Sequence, residues 1–592
     1  MNEGSSNLPH LTTLIALGLF GIALTAFLFL HATKPLSNSD FWWHLKSGEA
    51  MIEQGGLLHT DPFTFHEGKT PTPRETIILK GYWLWQVTAA ALHIAIGLNG
   101  IFLLNLLTIA AIALVLVRQM HKYTVPWGVA APLLVMGFTL FRNYDLERPT
   151  AMSFLFAAIL LGLLRDAVNS ERPGWVALPA CMCLWGNLHG GFVVGDLILV
   201  CFAAGAVIEY RRDLPRLKRL LLWVLAGIGA SFLNPTGPLA LVEVFSFVGK
   251  PIQTGITEYN STWLVFKEGG RLVAILWLLV GLYALGTLLR RRIVWTELPV
   301  ALFLAWFSVS YQRNIAFFAL AMLPAIGIAW KETAQRWTWR IPAVAGQIAI
   351  CAATLALLGP VREQWQQRQA WGTVAPIYPE AAIGFLERSG LQGRMFNSYE
   401  YGGYLLWRLS PKMLVFIDGR GLDEQIFADY GKISAAATAR VDGRFEYEVL
   451  LNRYGIDYVI QPIYDGYGNV QPLMKVLLHK PEWFPVYLDS QVYILARSSG
   501  ENRDIISRLS IDKDEFKTRL FMTYDSLHRS YPQEIGFRVA RAGMLIYLGH
   551  YNDAKDAIDA IAITAPGEKM LPNLRRELNM LAGRIYRGEK SM

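Results

Sequence analysis

Apolar residues along this chain gather into long runs separated by short polar connections. The runs occupy residues 11–31, 99–117, 124–141, 151–164, 174–186, 190–208, 220–234, 271–289, 294–310, 315–330 and 341–359. One helical crossing of a bilayer takes about 20 apolar residues, so the pattern predicts about eleven transmembrane helices, with the shorter runs open to being half-helices. Beyond residue 360 the pattern changes. A helical stretch at Glu380 to Ser389 is followed by β-like runs at Leu414 to Ile417, Tyr458 to Gln461 and Val492 to Ala496, which predict a compact α/β domain. After Gly500 the pattern is helical again. Ala542 to Ile561 reads as a helix, a Gly549-His550-Tyr551 turn and a second helix, similar to one tetratricopeptide-type unit, a surface for packing on the α/β domain or for a protein partner.

Composition accounts for the two regimes. The chain is 53% hydrophobic and 17% charged with a mean hydropathy of +0.29, against about a quarter charged in ordinary soluble proteins. The first run, Leu11 to Leu30, lacks a basic leader and a small-residue cleavage site, and reads as a retained first helix. Cys181, Cys183, Cys201 and Cys351 all fall within apolar runs, where a thiol behaves as a small hydrophobe. The net charge of +8 does not indicate nucleic acid, because its Lys and Arg cluster in alternate short connections: Arg118 and Lys122; Arg165 and Arg172; Arg211 to Arg219; Arg290 to Arg292; Lys331 to Arg340. By the positive-inside rule those connections and the amino terminus are cytoplasmic. The expected fold is a polytopic α-helical membrane domain over 1–360, with a long first outer loop at 32–98, set in a bacterial inner membrane. A periplasmic α/β domain over 361–500 and a helical tail over 501–592 follow.

This orientation collects the unusual polar residues on one face: Asp40 and Asp61, Asp145 and Glu147, Asn187 and His189, Asn234 and Glu258, Arg313 and Asn314. Ionisable groups at a bilayer boundary are costly unless wet or paired, and mark a functional cavity. Around Asp40 the sequence reads Asn38-Ser39-Asp40-Phe41-Trp42-Trp43-His44-Leu45, an amphipathic helix with Asp40 as its N-cap. On one reading Asp40 is only a cap and Asp61-Pro62 only a turn. On the other, these carboxylates deprotonate or orient an acceptor, or hold a divalent cation. Asp145 and Glu147 admit a similar pair of readings, as a metal site or as partners of Arg142 and Arg148. His189 reads as a functional donor or as a helix-end residue bonded to backbone. Asp418-Gly419-Arg420, after an apolar run, reads as a ligand crevice or as a turn closed by an ion pair.

Together these segments resemble the GT-C superfamily of integral membrane glycosyltransferases, and in layout the catalytic subunit of oligosaccharyltransferases. Asp40 with its aromatic helix, Gly55, and Asp61-Pro62 resemble that family's first outer loop. Asp145-Leu146-Glu147 resembles its paired-acid motif, and Ile256-Thr257-Glu258 its later glutamate loop. Met395-Phe396-Asn397-Ser398, Tyr399-Glu400-Tyr401-Gly402 and Met413 to Asp418 have the order and spacing of the family's soluble-domain motif. There Tyr399-Glu400 stands where the family has the Trp-Asp that reads a peptide acceptor, so peptide glycosylation is not carried over. The chain is also similar to a group of large bacterial membrane proteins of undefined substrate through Asn187-Leu188-His189-Gly190-Gly191, Asn234-Pro235 and Asp418-Gly419-Arg420.

The resemblance implies transfer of a sugar from a polyprenyl-phosphate-linked donor to a lipid, glycan or protein acceptor. It assigns Asp40, Asp61 and Glu258 to catalysis. His189, Arg313 and Asn187 would bind the donor phosphate, and Asp145 and Glu147 would hold Mg²⁺ or Mn²⁺, although some members of the superfamily need no metal. Tyr399, Glu400, Tyr401, Asp418 and Arg420 would lie on the acceptor side. A non-catalytic scaffold of the same architecture and a transporter or flippase are the competing classes; the latter would place its ionisable residues near the bilayer midplane.

Overall fold

The structure is a computed structural model that describes residues 8–65, 73–169, 175–242, 257–338, 342–366, 373–464, 470–500, 502–565 and 571–586. It divides into two compact units, Met1–Thr60 with Thr70–Ala375, and Asp61–Lys69 with Pro376–Met592. This differs from the expected boundary at 360. The Leu36 amide donates to Thr373 O at 3.0 Å and the Ala375 amide to Leu36 O at 2.9 Å, which holds residues 373–375 to the first unit.

Each apolar run of the first unit coincides with a helix or a helix pair. Among the described residues six helices are long and apolar enough to cross a membrane: Leu11–Ala32, Leu98–Lys122, Thr150–Asn169, Phe192–Glu209, Arg271–Leu289 and Ala343–Gln366. Gln312–Ala321 and Leu323–Arg336 make a seventh if taken as one span bent by 46°. Pro324 explains the break, since it lacks the N–H that would continue the first helix and sits in the first turn of the second. Trp127–Phe141, Ala177–Leu188 and Leu298–Ser310 are apolar but shorter. Leu14, Ile22, Leu107, Leu114, Leu288 and Leu355 are exposed on these helices, as lipid-facing side chains must be. The chain is a multi-pass membrane protein.

The expected long first loop is largely helical. Ser39–Gln54 is the anticipated amphipathic helix, closed by Gly55 at φ 68°. Its N-cap is Asn38 rather than Asp40: the Asn38 side chain accepts from the Asp40 amide at 3.0 Å, which releases the Asp40 carboxylate for other partners. Trp83–Ile96, too short an apolar stretch to read as a crossing, packs against it. A Cβ on Gly48 would lie 2.1 Å from Gln86 O, so glycine permits this close approach.

In the second unit a four-stranded sheet has the order β1-β4-β6-β5, where β1 is Arg394–Asn397, β4 Ile456–Pro462, β5 Trp483–Leu488 and β6 Val492–Arg497. Between β1 and β4 lie a two-residue hairpin, β2 Arg440–Val441 and β3 Arg444–Phe445, and the helices Tyr399–Leu409, Glu424–Ser434 and Glu446–Arg453. That crossover lets β4 run parallel to β1, while β6 is antiparallel to β4 and β5. Phe396, Phe416, Val459, Leu473, Leu495, Phe516 and Leu520 form the core, and Phe65 joins them.

Leu414 to Ile417 is not a strand of this sheet. Val415 forms a single parallel bridge to Thr64, and the Phe416 amide donates to the buried Asn397 Oδ1 at 2.8 Å, so a side chain takes the place of a ladder partner. Among the described residues the tail forms five helices from Asn502 to Tyr586, including the expected pair Ile535–Leu548 and Tyr551–Thr564 around Gly549 at φ 82°.

Candidate active site

A cavity of about 560 Å³ opens in the first unit at the ends of several spans, lined among others by Tyr144, Asp145, Arg148, Thr150, Glu258 and Arg313. Arg148 organises it. Its Nη2 lies 2.8 Å from Asp40 Oδ2 and its Nη1 3.3 Å from Glu258 Oε1, so one guanidinium joins the amphipathic helix to the Thr257–Tyr259 turn. The Arg148 Nε–H is buried and has no hydrogen-bond partner among the described residues. Burial works against its charge, but Asp40 and Glu258 raise its pKa, so it stays protonated. Asp40 Oδ1 also accepts from Trp43 Nε1 at 3.2 Å, one turn along the same helix. Arg313, in the turn Gln312–Asn314, donates from Nη1 to Tyr259 Oη at 2.5 Å and stacks on that ring at 4.8 Å.

The two acids of the connection before the Thr150–Asn169 helix take different roles. Burial would raise the Asp145 pKa, but Lys34 Nζ at 2.6 Å and Asn38 Nδ2 at 2.8 Å hold it below the usual carboxylate range. Glu147 is buried, and its Oε1 accepts from the Ser37 and Asn38 amides at 3.3 Å each. Burial and the neighbouring Asp145 push its pKa up to about 6. Both side chains grip residues 34–38, the segment that leads into the helix carrying Asp40. A divalent cation at this pair would have to displace the Lys34 ammonium. Among the described residues no group of three or more His, Cys, Asp and Glu is arranged to hold a metal ion.

His189 follows the Ala177–Leu188 helix. Its Nδ1 lies 3.0 Å from the Gly191 amide, which can only donate, and 2.6 Å from Ser153 Oγ, which itself accepts from Trp185 Nε1 at 2.8 Å. Nδ1 is therefore the acceptor and Nε2 carries the hydrogen, facing Thr150 Oγ1 at 3.4 Å. Burial, then Arg148 and Arg313, lower its pKa to about 3, so it is a neutral donor. Gly191 is required here, because a Cβ would stand 2.3 Å from Ser153 Oγ. Asn187 is engaged within the protein: Oδ1 accepts from Trp83 Nε1 at 2.8 Å, and Nδ2 donates to Cys183 O at 2.9 Å and Leu233 O at 2.8 Å. It holds the Trp83–Ile96 helix in place.

Asp61 belongs to the second unit, not with Asp40. Arg420 Nη1 donates to Asp61 Oδ1 at 2.6 Å, and Arg420 Nε and Nη2 donate to Asp418 at 2.7 and 2.6 Å. This cluster is almost wholly buried, with the Arg420 side chain 0% exposed. Burial would lower the Arg420 pKa, but the two carboxylates outweigh it and raise it. Tyr399 Oη donates to Gly419 O at 3.1 Å, while Glu400 is exposed and Tyr401 half-buried. A Cβ on Gly402 would lie 2.1 Å from Ile417 O, so the Tyr399–Leu409 helix presses directly on the Asp418 turn. Ile256 lies outside the described residues.

The structure thus brings Asp40, Glu258, His189, Arg313 and the acid pair into one unit, and places Asp61, Tyr399, Glu400, Tyr401, Asp418 and Arg420 in the other. Arg148, Lys34, Tyr259 and Ser153 were not singled out as functional from the sequence. The available signal was that Arg148 is one of few basic residues on a face otherwise poor in them.

The fold is similar to that of a solved oligosaccharyltransferase. The archaeal oligosaccharyltransferase AglB from Archaeoglobus fulgidus, solved with an inhibitory peptide and a dolichol-phosphate, superposes with a TM-score of 0.51 at 12% identity, covering 80% of this chain and 73% of that one. A second structure of the Archaeoglobus fulgidus oligosaccharyltransferase, tethered to an acceptor peptide, gives 0.49 at 12% identity over 84% and 74% of the two chains. ArnT from Cupriavidus metallidurans gives 0.41 at 13% identity over 81% and 97%. No protein-family model matches the sequence, and no curated protein matches it.

Proposed function

We propose that this protein is a glycosyltransferase that moves a sugar from a polyprenyl-phosphate-linked donor to an acceptor at the outer face of a bacterial inner membrane. The observation that carries the reading is Arg148, buried in a cavity at the ends of the spans, bridging Asp40 and Glu258 with its Nε–H unpartnered. A buried unsatisfied donor beside a second arginine is suited to an anionic oxygen, and a phosphate leaving group is one. The neutral Nε2–H of His189 adds a donor that does not depend on pH above about 4.

In this reading the acceptor atom loses its proton to Asp40 as it bonds to the anomeric carbon. The bond from that carbon to the phosphate oxygen breaks, and the polyprenyl-phosphate anion is left against Arg148 and Arg313. Glu258 holds Arg148 in line. Mg²⁺ or Mn²⁺ would add positive charge at the leaving phosphate, but Asp145 and Glu147 serve the Asp40 helix, and no step is assigned to a metal. A dolichol-phosphate in the AglB structure shows that protein's lipid, and supports a lipid-linked donor here by analogy of fold alone.

The test is the profile of glycans and lipid-linked sugars in cells lacking the protein, complemented by wild type or Asp40→Asn at matched abundance. A missing glycan with accumulated lipid-linked precursor, restored by wild type and reduced about 10²-fold or more by the variant, supports the reading. An unchanged profile turns it toward a scaffold.

A further inference from the structure

The spans that frame the Arg148 cavity enclose a second one at their opposite ends. Thr150 lines the first cavity, whereas Arg165 and Asn169, at the other end of the Thr150–Asn169 helix, line a cavity of about 360 Å³. Arg290, the C-cap of the Ala274–Leu289 helix, also lines it, with its side chain 3% exposed. Nη1 donates to Glu332 Oε2 at 3.2 Å. Nε and Nη2, the two donors on one edge of the guanidinium, have no hydrogen-bond partner among the described residues.

The nearest carboxylate does not satisfy them. Glu297 Oε1 stands 3.8 Å from Nη2, beyond hydrogen-bond reach. Glu297 is held elsewhere, by Tyr283 Oη at 3.1 Å on Oε1 and by Arg165 Nε at 3.4 Å on Oε2. Glu209, the third lining carboxylate, accepts from the Trp295 amide at 2.6 Å. Lys331 and the exposed Arg292 complete the charged lining, so four cations face three carboxylates. One positive charge and one fork of buried donors are left over.

We propose that this cavity binds a phosphate group through the Nε and Nη2 edge of Arg290, with Arg292 at its rim. Leaving two buried N–H groups of a cation unsatisfied is costly, and the side-on edge of a guanidinium matches two oxygens of a phosphate. The group comes either from a phospholipid headgroup or from a soluble phosphate compound. On the orientation proposed above this end faces the cytoplasm, the basic side where anionic headgroups gather. The site shares no side chain with the Arg148 cavity, so its test does not depend on glycosyl transfer.

The full-length protein in detergent is titrated with inorganic phosphate against chloride at equal ionic strength, and its thermal midpoint is read from tryptophan fluorescence. In a second arm the protein sits in nanodiscs of phosphatidylglycerol or of phosphatidylcholine. Wild type should show a saturable rise in midpoint with phosphate, with phosphatidylglycerol, or with both, and the arm that responds identifies the source. Arg290→Lys keeps the charge but loses the fork, and should weaken the response about tenfold. If that variant fails to fold, Arg292→Gln at the exposed rim should still weaken it several-fold. No saturable response of wild type in either arm, or an equal response from the variants, overturns the proposal.

Discussion

Glu147 and Arg148 are neighbours with opposite electrostatic situations, and each makes a prediction. Glu147 has its pKa raised to about 6 by burial and Asp145, so its neutral form is the one the fold prefers. The stability it contributes is complete below its unfolded value near 4.5 and is lost as the pH rises through about 6. Glu147→Gln keeps an acceptor for the Ser37 and Asn38 amides without the charge. It should raise stability above pH 6 by about 1–2 kcal/mol and flatten the pH dependence between 4.5 and 6. Thermal unfolding of wild type and variant across that range checks this. Arg148→Lys retains a positive charge but cannot span Asp40 and Glu258 while presenting a third donor. It should lower sugar transfer about 10–100-fold with abundance unchanged, read as product formed from a lipid-linked donor.

At the scale of elements, the segment Asp61–Lys69 belongs to a different unit from the residues that flank it. Asp61 supplies one of the two carboxylates on Arg420, and Phe63 O and Thr64 pair with Val415. Asp61→Ala removes one of the two carboxylates on a fully buried guanidinium. The second unit should lose about 3–5 kcal/mol, measured by proteolysis of that unit in denaturant. Such elements separate what periodicity can reveal from what it cannot. The spans, the Ser39–Gln54 helix, β4, β6 and the tail pair are visible because their apolar spacing is set by lipid or by one core. β5 was hidden by Pro485, which the sheet tolerates because β5 is an edge strand with a register shift at that point. Val415 and Phe416 have the composition of a strand, but the side chain of Asn397 and the distant Phe63 carbonyl satisfy those amides instead. Within the site, the acids were visible as types. Their partners Lys34 and Arg148, and the pairing of Asp61 with Arg420, follow from tertiary contacts between residues roughly a hundred or more apart, which no local pattern encodes, whereas the Asp418–Arg420 pair lies within one turn and is readable there.

For the molecule as a whole, the alternation of basic and acidic connections predicts orientation. A phosphatase that requires export, fused after the tail, should be active, and the same enzyme fused within Arg290 to Arg292 should be inactive. The inverse result would put the Arg148 cavity on the cytoplasmic side. A chelator should leave transfer unchanged if Arg148 and Arg313 alone carry the phosphate charge. Loss of activity restored by Mn²⁺ would instead assign a metal to this unit.

The separation of 359 positions from Asp61 to Arg420 also sets an order of events during synthesis. The ribosome adds about 5–20 residues per second, so Asp61 and Phe65 emerge on the order of tens of seconds before the chain that buries them. Throughout that interval the remaining spans are being inserted while a short acidic and aromatic segment waits without its complement. Deleting or slowing the last third of the chain should therefore expose this segment to proteases and chaperones, making it a timer for completion of the polypeptide.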